Sequence, residues 1–178
     1  MGYSITPYRV SLERLSTYFG IEDKGKRSKI RAVCRRKADN IDELAYGEAI
    51  PKFMDIAEEL LDGKVTHNQY GYLYWYAIEG FMEVLGSVMY ANDWIHASEE
   101  AQVFWKHREF VLYDIDAPME IPTPIDFPTV FVLHNNLLSD ELVKSLEQEI
   151  TNSYQIAQLK NWIKEAKRYK QDLVLYYY

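Results

Sequence analysis

The chain has 178 residues and a formal net charge of -7. That length fits one domain, 1–178, able to bury its own core without disulfide or metal. A single cysteine, Cys34, excludes an internal disulfide framework, and the acidic balance argues against a dedicated nucleic-acid binder.

Residues 3–10 alternate, with Tyr3, Ile5 and Pro7 set against Ser4, Thr6 and Tyr8. This predicts a short strand, and Pro7 places it at an edge or a strand end. Ser11 caps a helix carrying Leu12, Leu15, Tyr18 and Phe19, which stops at Gly20. Residues 26–38 form a second helix with a narrow apolar stripe of Ile30, Val33 and Cys34. A third begins near Ala49, with Pro51 in its first turn and Phe53, Ile56, Ala57, Leu60 and Leu61 on its buried face. The fourth and longest, 70–89, is apolar almost all round and is expected at the centre of the core. Glu79 and Glu83 interrupt it, so it does not read as a membrane span.

Ser98 suits the cap of a shorter helix through Phe104 and Arg108. Residues 110–114 read as a strand. Four prolines between 117 and 128 keep that segment extended, and Ile121, Ile125 and Phe127 pin it to the body as a packed connection. Residues 129–134 are the strongest strand by composition. Ser139 caps a helix with Asp140 and Glu141 in its first turn. A last helix, 153–169, precedes a closing strand, 172–178. Strands and helices do not alternate regularly. The expected fold is α+β, a helix-rich domain with a small sheet of short strands that includes both chain ends. Residues 1–10 carry no apolar run behind a basic segment, and the expected location is the cytoplasm.

Charge is segregated along the chain. Residues 24–37 hold eight basic groups and no acid, whereas residues 38–126 hold eighteen acids and four bases. Lys24, Arg27, Arg31 and Arg35 recur at helical spacing and make one cationic stripe, the candidate partner-binding surface. Glu79 and Glu83 share a face of the long helix, and Asn92-Asp93-Trp94-Ile95-His96 mixes polar groups with an aromatic. Glu79, Glu83, Trp94 and His96 are therefore the candidate ligand-pocket residues. Cys34 lies in line with Ile30 and reads as buried and structural. His67, His96, His107 and His134 show no metal-ligand spacing. No metal or cofactor is expected.

Three stretches carry a resemblance. Tyr3-Ser4-Ile5-Thr6-Pro7-Tyr8 leads into the Leu12/Leu15 helix. Tyr70-Gly71-Tyr72 precedes Ala77, Glu79 and Leu85-Gly86. Pro124-Ile125-Asp126-Phe127-Pro128 precedes Trp162, Ala166 and Asp172-Leu173-Val174-Leu175-Tyr176-Tyr177. Together they resemble a bacterial family catalogued only as a domain of unknown function. The resemblance covers most of the chain and implies a bacterial source and one intact domain. It implies no activity and no catalytic residue, and the basic helix is not part of its pattern.

The functional expectation is a non-enzymatic domain that binds another protein through a bipolar, tyrosine-rich surface. An immunity or antitoxin-like role is its concrete form, by analogy of charge. The alternative is an enzyme or small-ligand binder using the pocket candidates. A structural homodimer is the third option. No nucleic-acid or membrane partner is expected.

Overall fold

A computed structural model describes residues 3–43, 50–95 and 100–178. In chain order the elements begin with strand β1 (Ile5–Val10) and helices α1 (Leu12–Ser16), α2 (Lys24–Glu43), α3 (Phe53–Leu61) and α4 (Gly71–Leu85). Next come β2 (Ser87–Val88), α5 (Val103–Lys106), β3 (Val111–Leu112) and β4 (Thr129–Leu133). The chain closes with α6 (Asp140–Glu149), α7 (Ser153–Tyr169) and β5 (Asp172–Tyr177). The fold is α+β, with strands near both chain ends in one antiparallel sheet of order β2-β1-β5-β4-β3. The chain divides into two compact units. One comprises residues 1–11, 86–114 and 129–178; the other comprises residues 12–85 and 115–128.

The first unit is built on the sheet. β1 and β5 pair along their whole length, from Ile5 opposite Tyr177 to Val10 opposite Asp172. This supplies partners for backbone groups that both strands would otherwise leave open. Pro7 is tolerated inside β1 because β2 pairs only with Tyr8 and Arg9. α7 lays Leu159, Trp162, Ile163 and Ala166 inward, all buried. Trp94, Phe104, Phe110, Phe131 and Trp162 form a chain of ring contacts beneath it, with centroids 4.9–5.6 Å apart. The indole N–H groups of Trp94 and Trp162 are satisfied by the carbonyls of Gln155 and Tyr90. As the sequence predicts, Ser139 caps α6, its hydroxyl accepting from the Leu142 N–H at 3.0 Å.

In the second unit α2, α3 and α4 pack against one another. α4 is the most buried helix, with Leu73, Ala77, Phe81 and Leu85 all out of water. Gly80 lets α2 approach it closely: a Cβ there would lie 3.0 Å from Cys34 Sγ. A second close approach joins Gly20 to Gly63. Both have positive φ, and a Cβ on Gly63 would come within 3.2 Å of the Gly20 Cα.

Several boundaries differ from those predicted. The long helix stops at Leu85 instead of residue 89, because Gly86 weakens it and Ser87–Val88 leaves to pair with β1. The basic helix runs on to Glu43, carried by Ala38 and Ile41 continuing its buried stripe. The third helix starts at Phe53, with Lys52 as its cap and Pro51 ahead of it; Ala49 lies outside the described residues. The helix expected from Ser98 reduces to a 3-10 turn, Glu100–Gln102, and the four-residue α5. Ser98 itself is outside the described residues.

Leu73 is 1% exposed at the centre of α4. Replacing it with alanine should destabilise the protein by about 2–5 kcal/mol in urea melts. A loss below about 0.5 kcal/mol would place α4 at the periphery of its own core.

Candidate functional site

The cations of α2 fall into two sets. Arg27 donates to the carbonyls of Ile21 and Leu61 and to the carboxylates of Glu58 and Asp62, at 2.6–3.1 Å. Arg31 grips the same Glu58 in a two-pronged pair, Nε to Oε1 at 2.5 Å and Nη2 to Oε2 at 2.6 Å. Lys37 sits between Glu79 and Glu83, 2.7 and 2.6 Å from their oxygens. Burial pulls the Lys37 ammonium down, but the two carboxylates push it further up. All three cations lie beside the buried stripe and are only partly exposed. Lys24, Lys29 and Arg35 are exposed, with no ion pair among the described residues. Arg36 is mostly exposed and reaches Glu83 only at 3.8 Å. The stripe read from the sequence is thus divided: Arg27 and Arg31 hold α2 to α3, while Lys24 and Arg35 face outward.

The pocket candidates are placed differently from one another. Glu79 and Glu83 share a face of α4, as their spacing implies, and that face is closed by Lys37. Glu79 is 4% exposed, so its carboxylate is a buried ion-pair partner. Trp94 is fully buried in the aromatic cluster of the sheet unit and cannot line an open surface. His96 lies outside the described residues. Cys34 is buried, and burial pushes its thiol up to about 12 against the opposing pull of Lys37. It is a packing residue.

A polar cluster that the sequence did not announce sits in the second unit. Glu59 accepts the hydroxyl of Tyr74, the hydroxyl and N–H of Thr66, and Nδ1 of His67 at 2.6 Å. The Tyr74 oxygen in turn accepts the N–H groups of Thr66 and His67 at 3.1 and 3.0 Å. Burial raises the Glu59 carboxyl, but these four donors outweigh it and hold it below its ordinary value. Burial, helped by Glu59, pushes Tyr74 up to about 12. His67 is thereby anchored through Nδ1 and leaves Nε2 unused by that contact. The loop bearing His67 borders a cleft of about 390 Å³ lined by Val65, Asn68, Met119, Glu120 and Pro122. Glu59, His67 and Tyr74 come from three segments separated by a glycine turn and a short loop. No fixed spacing joins them, so no motif could have revealed them.

Among the described residues, no group of three or more His, Cys, Asp and Glu side chains could hold a metal ion. No helix among them is long and apolar enough to cross a membrane.

A family model described as Domain of unknown function (DUF7691) matches residues 1–178. The chain belongs to this family. No curated protein and no solved structure matches it. Family membership therefore names no chemistry, and the residues themselves must supply it.

Glu58 and Glu59 are both held below the ordinary glutamate value of 4.5. A depressed folded-state value means that their stabilisation is complete above about 4.5 and is lost as the pH falls through the lower folded values. Melting temperatures followed from neutral to acid pH should drop across that window. Glu58→Gln and Glu59→Gln should each start lower and fall less steeply. Parallel curves for wild type and variants would show that these carboxylates do not drive acid unfolding.

Proposed function

We propose that this chain is a non-enzymatic protein-binding domain, and that the outward face of α2 receives an acidic segment of its partner. One observation carries this reading. The helix spends Arg27, Arg31 and Lys37 on the protein's own acids, yet still presents Lys24, Lys29, Arg35 and Arg36 to solvent with no acid from residue 24 to residue 37. Exposed like charges on one helix repel and add nothing to its stability. The acids that α3 and α4 turn toward α2, Glu58, Glu79 and Glu83, are engaged by the inner set. Such a face raises the local potential and steers an acidic surface onto it. The overall acidity of the chain favours a protein over a polyphosphate, because a nucleic acid would meet repulsion from the rest of the body.

The two sets of cations separate experimentally. Arg27→Gln should lower stability by about 1–3 kcal/mol, since it strands two carbonyls and weakens the hold on Glu58. Lys24→Gln/Lys29→Gln/Arg35→Gln should leave the melting curve unchanged. The same triple variant should weaken binding of a fluorescent glutamate-rich peptide about tenfold at low salt, with the wild-type affinity falling as salt rises. A control variant, Lys160→Gln/Lys164→Gln/Lys170→Gln, should bind like wild type. Equal weakening by the control, or tighter binding of a single-stranded oligonucleotide than of the peptide, would overturn the proposal.

A further inference from the structure

The cleft in the helical unit has walls held by the protein's own bonds. One wall is the 65–68 loop. Glu59 and Tyr74 staple Thr66 and His67 to α3 and α4. The other wall is the segment around Met119, Glu120 and Pro122, stiffened by Pro118, Pro122 and Pro124. The indole of Trp75 donates to the Pro122 carbonyl at 3.1 Å. Gly71 lets the start of α4 press against the same segment: a Cβ there would lie 2.6 Å from the Thr123 oxygen. Met119 is seated beside Gly63.

What lines this cleft is one-sided in charge. Asn68 and Glu120 are exposed polar side chains with no hydrogen bond or ion pair among the described residues. His67, between the lining residues Val65 and Asn68, is held through Nδ1 by Glu59, and its side chain is 37% exposed. Glu120 is an acceptor only, and Asn68 adds an amide oxygen. No described lining residue is cationic. The segment 115–128 carries Asp116, Glu120 and Asp126 and no base. Val65, Met119 and Pro122 supply the apolar surface.

We infer that this cleft binds an organic cation, an ammonium or guanidinium group on a short carbon stem. The Glu120 carboxylate and the Asn68 amide oxygen suit a donor-rich positive head, and the apolar residues suit its stem. A bare metal ion fits poorly. A hard cation takes six to eight oxygen ligands or a tight carboxylate cage, whereas Glu120 is the only carboxylate among the described lining residues. The head group has two sources, a free small molecule or an arginine or lysine side chain of a protein. Neither depends on the outward face of α2, which lies on other residues.

The test titrates the intact chain with N-acetyl-arginine amide, followed by NMR of the Asn68 side-chain amide and the Met119 methyl. Saturable shifts at both are expected. The citrulline counterpart, which lacks the charge, should produce none. Glu120→Gln should weaken binding at least about threefold, and Asn68→Asp should tighten it by a similar factor. Both sites are exposed, so melting curves should confirm intact folding. An arginine tetrapeptide that binds much more tightly than the amide assigns the source to a protein, and equal affinity assigns it to a small molecule. Absent saturable shifts, citrulline binding as well as arginine, or an unaltered Glu120→Gln affinity would overturn the inference. Lys24→Gln/Lys29→Gln/Arg35→Gln should bind the amide like wild type, so failure here is distinct from failure of the α2 reading.

Discussion

A helix with eight cations in fourteen residues can be packed only if its neighbours neutralise the charges that packing brings inward. The helical unit is organised around that constraint. Apolar contact through Ile30, Val33, Cys34, Ala38 and Ile41 draws α2 onto α3 and α4. The residues flanking that stripe are forced toward the partners. Arg27 and Arg31 then face Glu58 on α3, and Lys37 faces Glu79 and Glu83 on α4. Without these carboxylates the helix would have to give up either its apolar contacts or the hydration of its cations. The acids are therefore part of the packing, and their protonation state sets how well the three helices hold.

The same constraint explains why some residues were legible in the sequence and others were not. Helical periodicity identifies the stripe of α2 correctly, and it identifies Glu79 and Glu83 as sharing a face. It also groups Lys24, Arg27, Arg31 and Arg35 as a stripe. What it cannot supply is the edge of the packed surface. Arg27 and Arg31 sit on that edge, and only the positions of Glu58 on α3 and of Asp62 just past its end decide that they turn inward.

The sheet unit shows the complementary case. Its strands at 5–10, 129–133 and 172–177 are written in β-branched and aromatic residues, and that composition, with alternation at 5–10, finds them. The pairing of β1 with β5 follows from the cost of leaving two end strands open. β2 escapes sequence reading because two residues carry no period. It exists because Gly86 releases the chain beside an edge of β1 that needs partners. The His67–Glu59–Tyr74 cluster escapes for a different reason: its bonds join residues whose sequence separations follow from the turn at Gly63, not from any element's period.

The helical unit therefore presents two surfaces of opposite sign, each made by excess left after internal pairing. On α2, the neighbouring acids satisfy the inner cations and leave the outer ones. At the cleft, Glu59 is saturated by four donors, while Glu120 and Asn68 are left with acceptor capacity toward solvent. Internal pairing removes from consideration the groups that looked most reactive in isolation: Glu79 and Glu83 serve Lys37, Cys34 is buried, and Trp94 is core. The residues with unused charge or hydrogen-bonding capacity are ordinary surface types in a sequence, and only the geometry shows which of them the fold has not already used. On the two proposed readings, recognition would complement those residual charges, with an acidic segment against α2 and a cationic head group in the cleft.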